Sequence, residues 1–164
     1  MKAFQGVTRT AFLGFFSSHI VFTVIVDLQA LLPATLVPTP LRNLLAWYTA
    51  TLKDPLMSDP PLWFQSLICF ELVIQLPFFC TACYYLTKYR VLYPDKFRIA
   101  CIAYSAHACT SMGPILASLA TATALSTVER AVLVNLYLPY LIFPAWLLLA
   151  SVFSSVPTER PKIY

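Results

Sequence analysis

Four long apolar runs dominate the chain, near Thr10–Leu32, Leu62–Tyr89, Phe97–Leu125 and Ala131–Phe153. Each is about 20 residues or longer, which at about 1.5 Å per residue crosses a hydrocarbon layer of about 30 Å. The connection between the first two, Pro33–Pro61, is long and proline-rich. Within it Leu41, Leu44, Leu45, Tyr48 and Leu52 recur at helical spacing, and Trp47 and Tyr48 are residue types that favour a membrane interface. The pattern predicts a short helix lying at the membrane surface and lidding the bundle; an ordinary interfacial connector fits it equally well. The expected architecture is an all-α, polytopic bundle of four transmembrane helices, one domain over residues 1–164.

Composition supports that reading. Of 164 residues 59% are hydrophobic and only 11% charged, with a mean hydropathy of +0.73. A soluble domain carries about 25% charged residues, so this chain lacks the charge to cover a surface in water. The net charge of +4 forms no basic stripe, which argues against a nucleic-acid partner. It sets orientation instead. Lys2 and Arg9 precede the first run, Lys88, Arg90, Lys96 and Arg98 flank the second connection, and Arg160 and Lys162 lie in the tail. Eight of eleven basic residues thus fall on one side, leaving Arg42, Lys53 and Arg130 on the other. Both termini are expected to be cytoplasmic. Asp27-Leu-Gln29 is not a small-residue cleavage site, so the first run is expected to remain as a span. Five cysteines, all inside apolar runs, predict no disulfide framework. The pair Cys80-Thr-Ala-Cys83 has no second ligand pair, and neither a metal nor a cofactor is expected.

Candidate chemistry comes from two acids inside the runs, Asp27 and Glu71. A carboxylate at the centre of a bilayer costs about 2.5–3.5 kcal/mol on insertion scales, so such residues commonly have a use. His19, Thr23 and Asp27 share a broad face of the first run, Glu71 and Gln75 are a turn apart in the second, and Tyr104, His107 and Ser111 line up in the third beside Thr110. Asn135, Tyr137 and Tyr140 would complete a polar interior from the fourth. Pro77, Pro114, Pro139 and Pro144 free the carbonyls of Val73, Thr110, Asn135 and Tyr140, which then need a partner. Two acids brought together at low dielectric do not both ionise readily; the expected state is one carboxylate and one carboxylic acid sharing a hydrogen bond. Such a pair attracts a protonated amine on an apolar body, helped by nearby aromatic rings, or shuttles a proton. A plain inter-helix hydrogen bond from Asp27 to a Tyr, Gln or His is the structural alternative. His19 and His107 read more naturally as satisfied interior groups than as metal ligands. Asp54 and Asp59, each next to a proline, read as caps or turn formers, with Asp59 placed to cap the second span.

These residues carry a family resemblance. The runs Asp27-Leu-Gln-Ala-Leu-Leu-Pro33, Leu41-Arg-Asn-Leu-Leu-Ala-Trp-Tyr48, Lys53-Asp-Pro-Leu56 and Glu71-Leu-Val-Ile-Gln-Leu-Pro-Phe-Phe79 resemble the sigma-2 receptor branch of the EXPERA group. Ser18-His-Ile20, Tyr104-Ser-Ala-His107 and Tyr137-Leu-Pro-Tyr140 match as well, in the same order over nearly the whole chain. That group comprises four-helix membrane proteins of the endoplasmic reticulum and includes a sterol Δ8–Δ7 isomerase. The resemblance implies a homodimer whose pocket opens toward the membrane and binds cationic amphiphiles and sterols such as cholesterol. It implies that Asp27 is the amine-binding carboxylate, Glu71 its protonated neighbour and Asp54 a supporting acid. Gln75, Thr110, Tyr48, Tyr140 and His19 would line the site. It also implies a role in cholesterol trafficking, with a Niemann–Pick-type cholesterol transporter and a lipoprotein receptor as partners. Isomerase chemistry at the acid pair is the competing reading. The chain departs from the family at its tail, where Arg160-Pro-Lys-Ile-Tyr164 lacks a lysine-rich retrieval signal.

Overall fold

A computed structural model describes residues 6–88 and 95–153. Lys2, Arg90, Arg160, Lys162, the side chain of Lys96 and the tail after Phe153 lie outside the described residues, so the orientation argument rests on them as sequence only. The described residues form helices α1 (Val7–Ile25), α2 (Thr39–Leu52), α3 (Pro55–Ser58), α4 (Leu62–Phe70), α5 (Leu76–Lys88), α6 (Asp95–Thr121), α7 (Thr127–Tyr137) and α8 (Pro139–Phe153). Four helical runs are long and apolar enough to cross a membrane: Val7–Ala30, Leu62–Lys88, Phe97–Thr121 and Thr127–Phe153. Helix α2 is the short helix of the first connection.

Two of the four runs are broken where the sequence places proline. Between α4 and α5 the chain widens into a π-helical stretch, Glu71–Gln75, and the Leu76 amide reaches back to the Glu71 carbonyl. This wide turn directly precedes Pro77, which has no N–H to offer Val73. The fourth run splits at Leu138, immediately before Pro139, into α7 and α8. Pro114 and Pro144 are carried inside α6 and α8. The start of α7 is set by a capping box, in which Ser126 Oγ accepts from the Glu129 amide and Glu129 Oε2 accepts from the Ser126 amide.

Packing pairs α1 with α5 and α6 with α8. One end of the bundle is filled by aromatic rings. Phe15 stacks on Phe143 at 4.5 Å, and Phe78 stacks on Tyr104 at 4.2 Å, with Phe12, Phe16 and Phe79 buried between them. At that end Arg9 Nε donates to the Leu86 carbonyl at 2.7 Å, and Arg98 donates to the carbonyls of Ser151 and Val152. Each guanidinium therefore closes the C-terminal turn of the partner helix, where orphan carbonyls and the helix dipole both favour a cation. The opposite end packs aliphatic residues, Ile68, Met112, Ile115, Leu119 and Leu133, beneath α2 and α3. Large apolar side chains such as Val73, Ile99, Val128 and Phe153 point outward, as a lipid-facing surface requires.

Asp54 ties the connection to the bundle. Lys53 adopts a left-handed backbone (φ 55°) that ends α2 and turns the chain inward. The fully buried Asp54 then caps α3, its Oδ1 accepting from the amides of Leu56 (2.9 Å) and Met57 (3.3 Å). Its Oδ2 accepts from the hydroxyls of Tyr48 of α2 (2.8 Å) and Tyr137 of α7 (2.7 Å). Asp59, by contrast, does not cap the second span. It closes α3, while Pro61 stands at the start of α4 without a side-chain cap. The reason is spacing: the Pro60-Pro61 pair carries the chain away from Asp59 before the helix begins. Asp54→Ala strands two phenols and two amides in the interior, each costing about 1–3 kcal/mol. We expect a lowered thermal midpoint in detergent for Asp54→Ala and little change for the exposed Asp59→Ala; equal losses in the two would refute this account.

Candidate functional site: an acid-lined cavity

Between α1, the α4–α5 run, α6 and the α7–α8 break lies a cavity of about 460 Å³, roofed by α2 and α3. That volume is in the range of small-molecule sites, about 300–1,000 Å³. Most of its wall is apolar, from Phe15, Phe64, Ile68, Met112 and Ile115, and its polar groups are few.

Both in-span acids enter it. Asp27 sits where α1 ends and a single 3₁₀ turn, Asp27–Ala30, begins. Gln29 holds that break in shape by donating to the carbonyls of Ile25 (2.6 Å) and Leu41 (3.1 Å), which also moors the first turn of α2. Asp27 lies deep in the bundle, yet retains accessible surface; that surface is cavity wall. Among the described residues no N–H or hydroxyl donates to its carboxyl. Glu71 is placed by the π-helical stretch, where the extra residue per turn re-aims the side chain inward. Its Oε1 accepts from the buried Thr23 hydroxyl at 2.6 Å and lies 3.2 Å from His19 Nε2. Asp27 and Glu71 are close enough for each to feel the other's charge.

The other expected residues divide. His19 lines the cavity, its ring stacked on Phe79 at 4.4 Å and tilted against Tyr140 at 4.6 Å. Among the described residues no group partners its buried Nδ1, while Nε2 faces Glu71. Gln75 is buried and lines the cavity one turn from Glu71, and Tyr48 and Tyr140 form part of its wall. Asp54 stands behind the wall, saturated by its four donors.

Thr110 does not belong to the site. It is exposed on the outer face of α6, and its hydroxyl donates to the Ala106 carbonyl at 2.8 Å. The inward face of α6 is Tyr104, Ala108, Ser111, Met112 and Ile115. Asn135 is likewise exposed, with Nδ2 donating to the Ala131 carbonyl, and His107 packs against Phe70 outside the cavity. A Thr or Asn that bonds its own helix backbone is satisfied without facing the interior, which is why polarity alone misplaced these residues. The residue that sequence reasoning underrated is Thr23. The i, i+4, i+8 spacing of His19, Thr23 and Asp27 was the available signal. Among the described residues no three His, Cys, Asp or Glu side chains gather to hold a metal.

Fold and cavity together define a four-span membrane protein that encloses an apolar chamber with an acid pair. The chain belongs to the EXPERA (EXPanded EBP) superfamily, whose profile matches residues 40–151. It is 40% identical over 159 residues to the Sigma intracellular receptor 2 of Xenopus tropicalis, covering 92% of this chain and 91% of that one. It is 41% identical over 146 residues to the protein of the same name from Homo sapiens and 40% identical to that from Macaca fascicularis. In both cases 82% of this chain and 81% of the relative are covered.

Tyr48 offers a test of this wall. Burial, and then the Asp54 carboxylate beside it, hold its phenol well above the ordinary range. In the unfolded chain a tyrosine ionises near pH 10. Above that pH the folded protein keeps a proton that the unfolded chain has lost, so stability present at neutral pH drains away as pH rises. We expect the thermal midpoint to fall between roughly pH 9 and 11, and Tyr48→Phe to lower the neutral-pH midpoint while making that alkaline slope shallower. An unchanged slope in the variant would overturn the assignment.

Proposed function

We propose that this protein is an intracellular membrane receptor that takes a hydrophobic amine or a sterol into the cavity, and through that occupancy regulates cholesterol trafficking without chemically altering the ligand. In this reading it resides in the endoplasmic reticulum with both termini in the cytoplasm, works as a homodimer, and acts on a cholesterol transporter and a lipoprotein receptor. Asp27 is the counter-ion for the ligand's ammonium group. Glu71 shares the negative field, Gln75 and His19 offer hydrogen bonds, and Tyr48 and Tyr140 present rings to the cation and its apolar body.

One observation carries the reading: a carboxyl that no described side chain or amide supports faces a partly open, largely apolar space of ligand size. Burying a carboxyl without partners is costly, and a cationic amphiphile supplies both the missing donor and the apolar contact. The similarity to proteins named as receptors, at about 40% identity over most of the chain, supports the same class. In this reading a sterol would lie against the same wall, with its hydroxyl as the donor.

The measurement is stoichiometric binding of a hydrophobic amine, such as N-benzylpiperidine, to purified protein. Asp27→Asn removes one partner of a buried charge pair, a change worth about 2–5 kcal/mol, or roughly 30-fold or more in affinity. Binding should also weaken as pH falls, because protons compete with the amine for the anion. Undiminished binding in Asp27→Asn, or flat affinity into strongly acid solution, would count against the reading.

A second reading draws on the same acids. A proton donor and a proton acceptor inside an apolar chamber are what a sterol double-bond isomerase needs, and the superfamily carries the name EBP. Turnover of a Δ8 sterol by the purified protein, abolished by Asp27→Asn or Glu71→Gln, would favour it; no turnover under conditions where the amine binds would leave the receptor reading standing.

A further inference from the structure

Two arginines at the ring-packed end are fixed in place, yet neither meets a described carboxylate. Arg9 stands just inside the first span, Val7–Ala30, and Arg98 just inside the third, Phe97–Thr121. Arg9 Nε donates to the Leu86 carbonyl at 2.7 Å. Arg98 donates through Nε to the Ser151 carbonyl at 2.7 Å and through Nη2 to the Val152 carbonyl at 3.2 Å. These bonds hold one guanidinium at the junction of α1 with α5 and the other at the junction of α6 with α8. A guanidinium carries five N–H donors in a rigid fork, so donors are left over. Among the described residues no group takes Nη1 or Nη2 of Arg9, or Nη1 of Arg98. The described acids, Asp27, Asp54, Asp59, Glu71 and Glu129, all lie at the cavity or around its roof. At the ring-packed end Lys88, held on the Tyr84 hydroxyl at 2.8 Å, adds another cation two residues beyond Leu86.

The surface beside each fork turns apolar at once. Val7, two residues before Arg9, is exposed, and so are Ile99, Val152 and Phe153 around Arg98. A cation bordering exposed hydrocarbon side chains at the end of a span sits at the depth where lipid headgroups meet their chains. Basic pockets between transmembrane helices at that depth suit anionic headgroups.

We propose that each of these two helix junctions seats the phosphate of an anionic phospholipid, with the lipid's chains lying along the apolar flank. The free edge of a guanidinium matches two phosphate oxygens at once. Its binding to a helix-end carbonyl has already spent the side-chain entropy of placing it. A zwitterionic lipid brings the same phosphate with its own ammonium, which the arginine repels. A free phosphate lacks the apolar contact. Neither arginine lines the acid-lined cavity, so the seats stand apart from the ligand reading above.

The experiment counts lipids. Full-length protein in a neutral detergent is given equal amounts of phosphatidylglycerol and phosphatidylcholine, and native mass spectrometry reads what each chain retains. We expect two phosphatidylglycerols per chain, kept in preference to phosphatidylcholine. Arg9→Gln and Arg98→Gln should each weaken one seat about five-fold or more, so that one lipid is lost from each variant. Arg42→Gln, on α2 at the opposite end, should keep both. Because each arginine also closes a helix, Arg9→Lys and Arg98→Lys are measured beside them. Each keeps the charge but loses the fork, and should hold its lipid more weakly than the wild type. Glycerol 3-phosphate, the same phosphate without chains, should leave the thermal midpoint unchanged while phosphatidylglycerol raises it. Equal retention of the two lipids by the wild type would overturn the proposal, as would an unchanged count in the arginine variants or an equal loss in Arg42→Gln. A midpoint raised as much by glycerol 3-phosphate would replace the lipid with a free phosphate. The wild-type preference and the lysine variants keep the test decisive should a glutamine variant not fold.

Discussion

Four donors converge on the carboxylate of Asp54: two amides of α3 and the hydroxyls of Tyr48 and Tyr137. No cation sits among them. A buried charge without a counter-ion is tolerable only when hydrogen bonds replace the water it gave up, and here both oxygens are doubly served. In return, the carboxylate joins three elements that also share the aliphatic cluster beneath the lid. The lid helix α2, the short α3 and the end of α7 are drawn to one point, and the left-handed turn at Lys53 is the backbone cost of reaching it. The roof of the cavity depends on that convergence. Gln29 holds the other end of the lid, and the Lys53–Glu129 ion pair reinforces the Asp54 end from the surface.

The three acids near the cavity form a series. Asp54 is saturated, Glu71 is held by one face of α1, and Asp27 has no donor among the described residues. In a low-dielectric interior the number of donors decides what a carboxyl can do next. A saturated one is architecture. A partly held one is fixed in place by its neighbours. A bare one is available to a ligand or a proton. The bundle thus obtains three roles from one chemical group by varying only the neighbours.

The two ends of the bundle are built differently for the same reason. One end is dense with stacked rings and closed by two arginines that bind helix-terminal carbonyls. The other is opened by the end of α1 at Asp27, by the wide turn at Glu71 and by the break before Pro139. Each irregularity contributes a residue to the cavity wall: Asp27, Glu71 and Pro139. Rigidity at one end allows the other to keep a hollow.

Much of the architecture was legible in the sequence. The four spans follow from uninterrupted apolar length, the lid from the spacing of Leu41, Leu44, Leu45, Tyr48 and Leu52, and the importance of Asp27 and Glu71 from the cost of an acid in hydrocarbon. The capping geometry of Asp54 before Pro55 was also visible as a local rule. What the sequence left open was rotation. In a span that is apolar on every side, periodicity has no phase, because lipid and protein interior reward the same side chains. Thr110 and Ser111 are neighbours differing by about 100° around the helix, and only packing against the other helices decided that Ser111 faces the cavity and Thr110 the outside. The wide turn at Glu71–Gln75 adds its own shift, which sequence spacing cannot count. The chain by itself determined that it crosses a membrane and carries acids within it; only the tertiary structure decided which donors reach which acid, since hydrogen bonds between helices depend on rotation and depth that no single helix encodes.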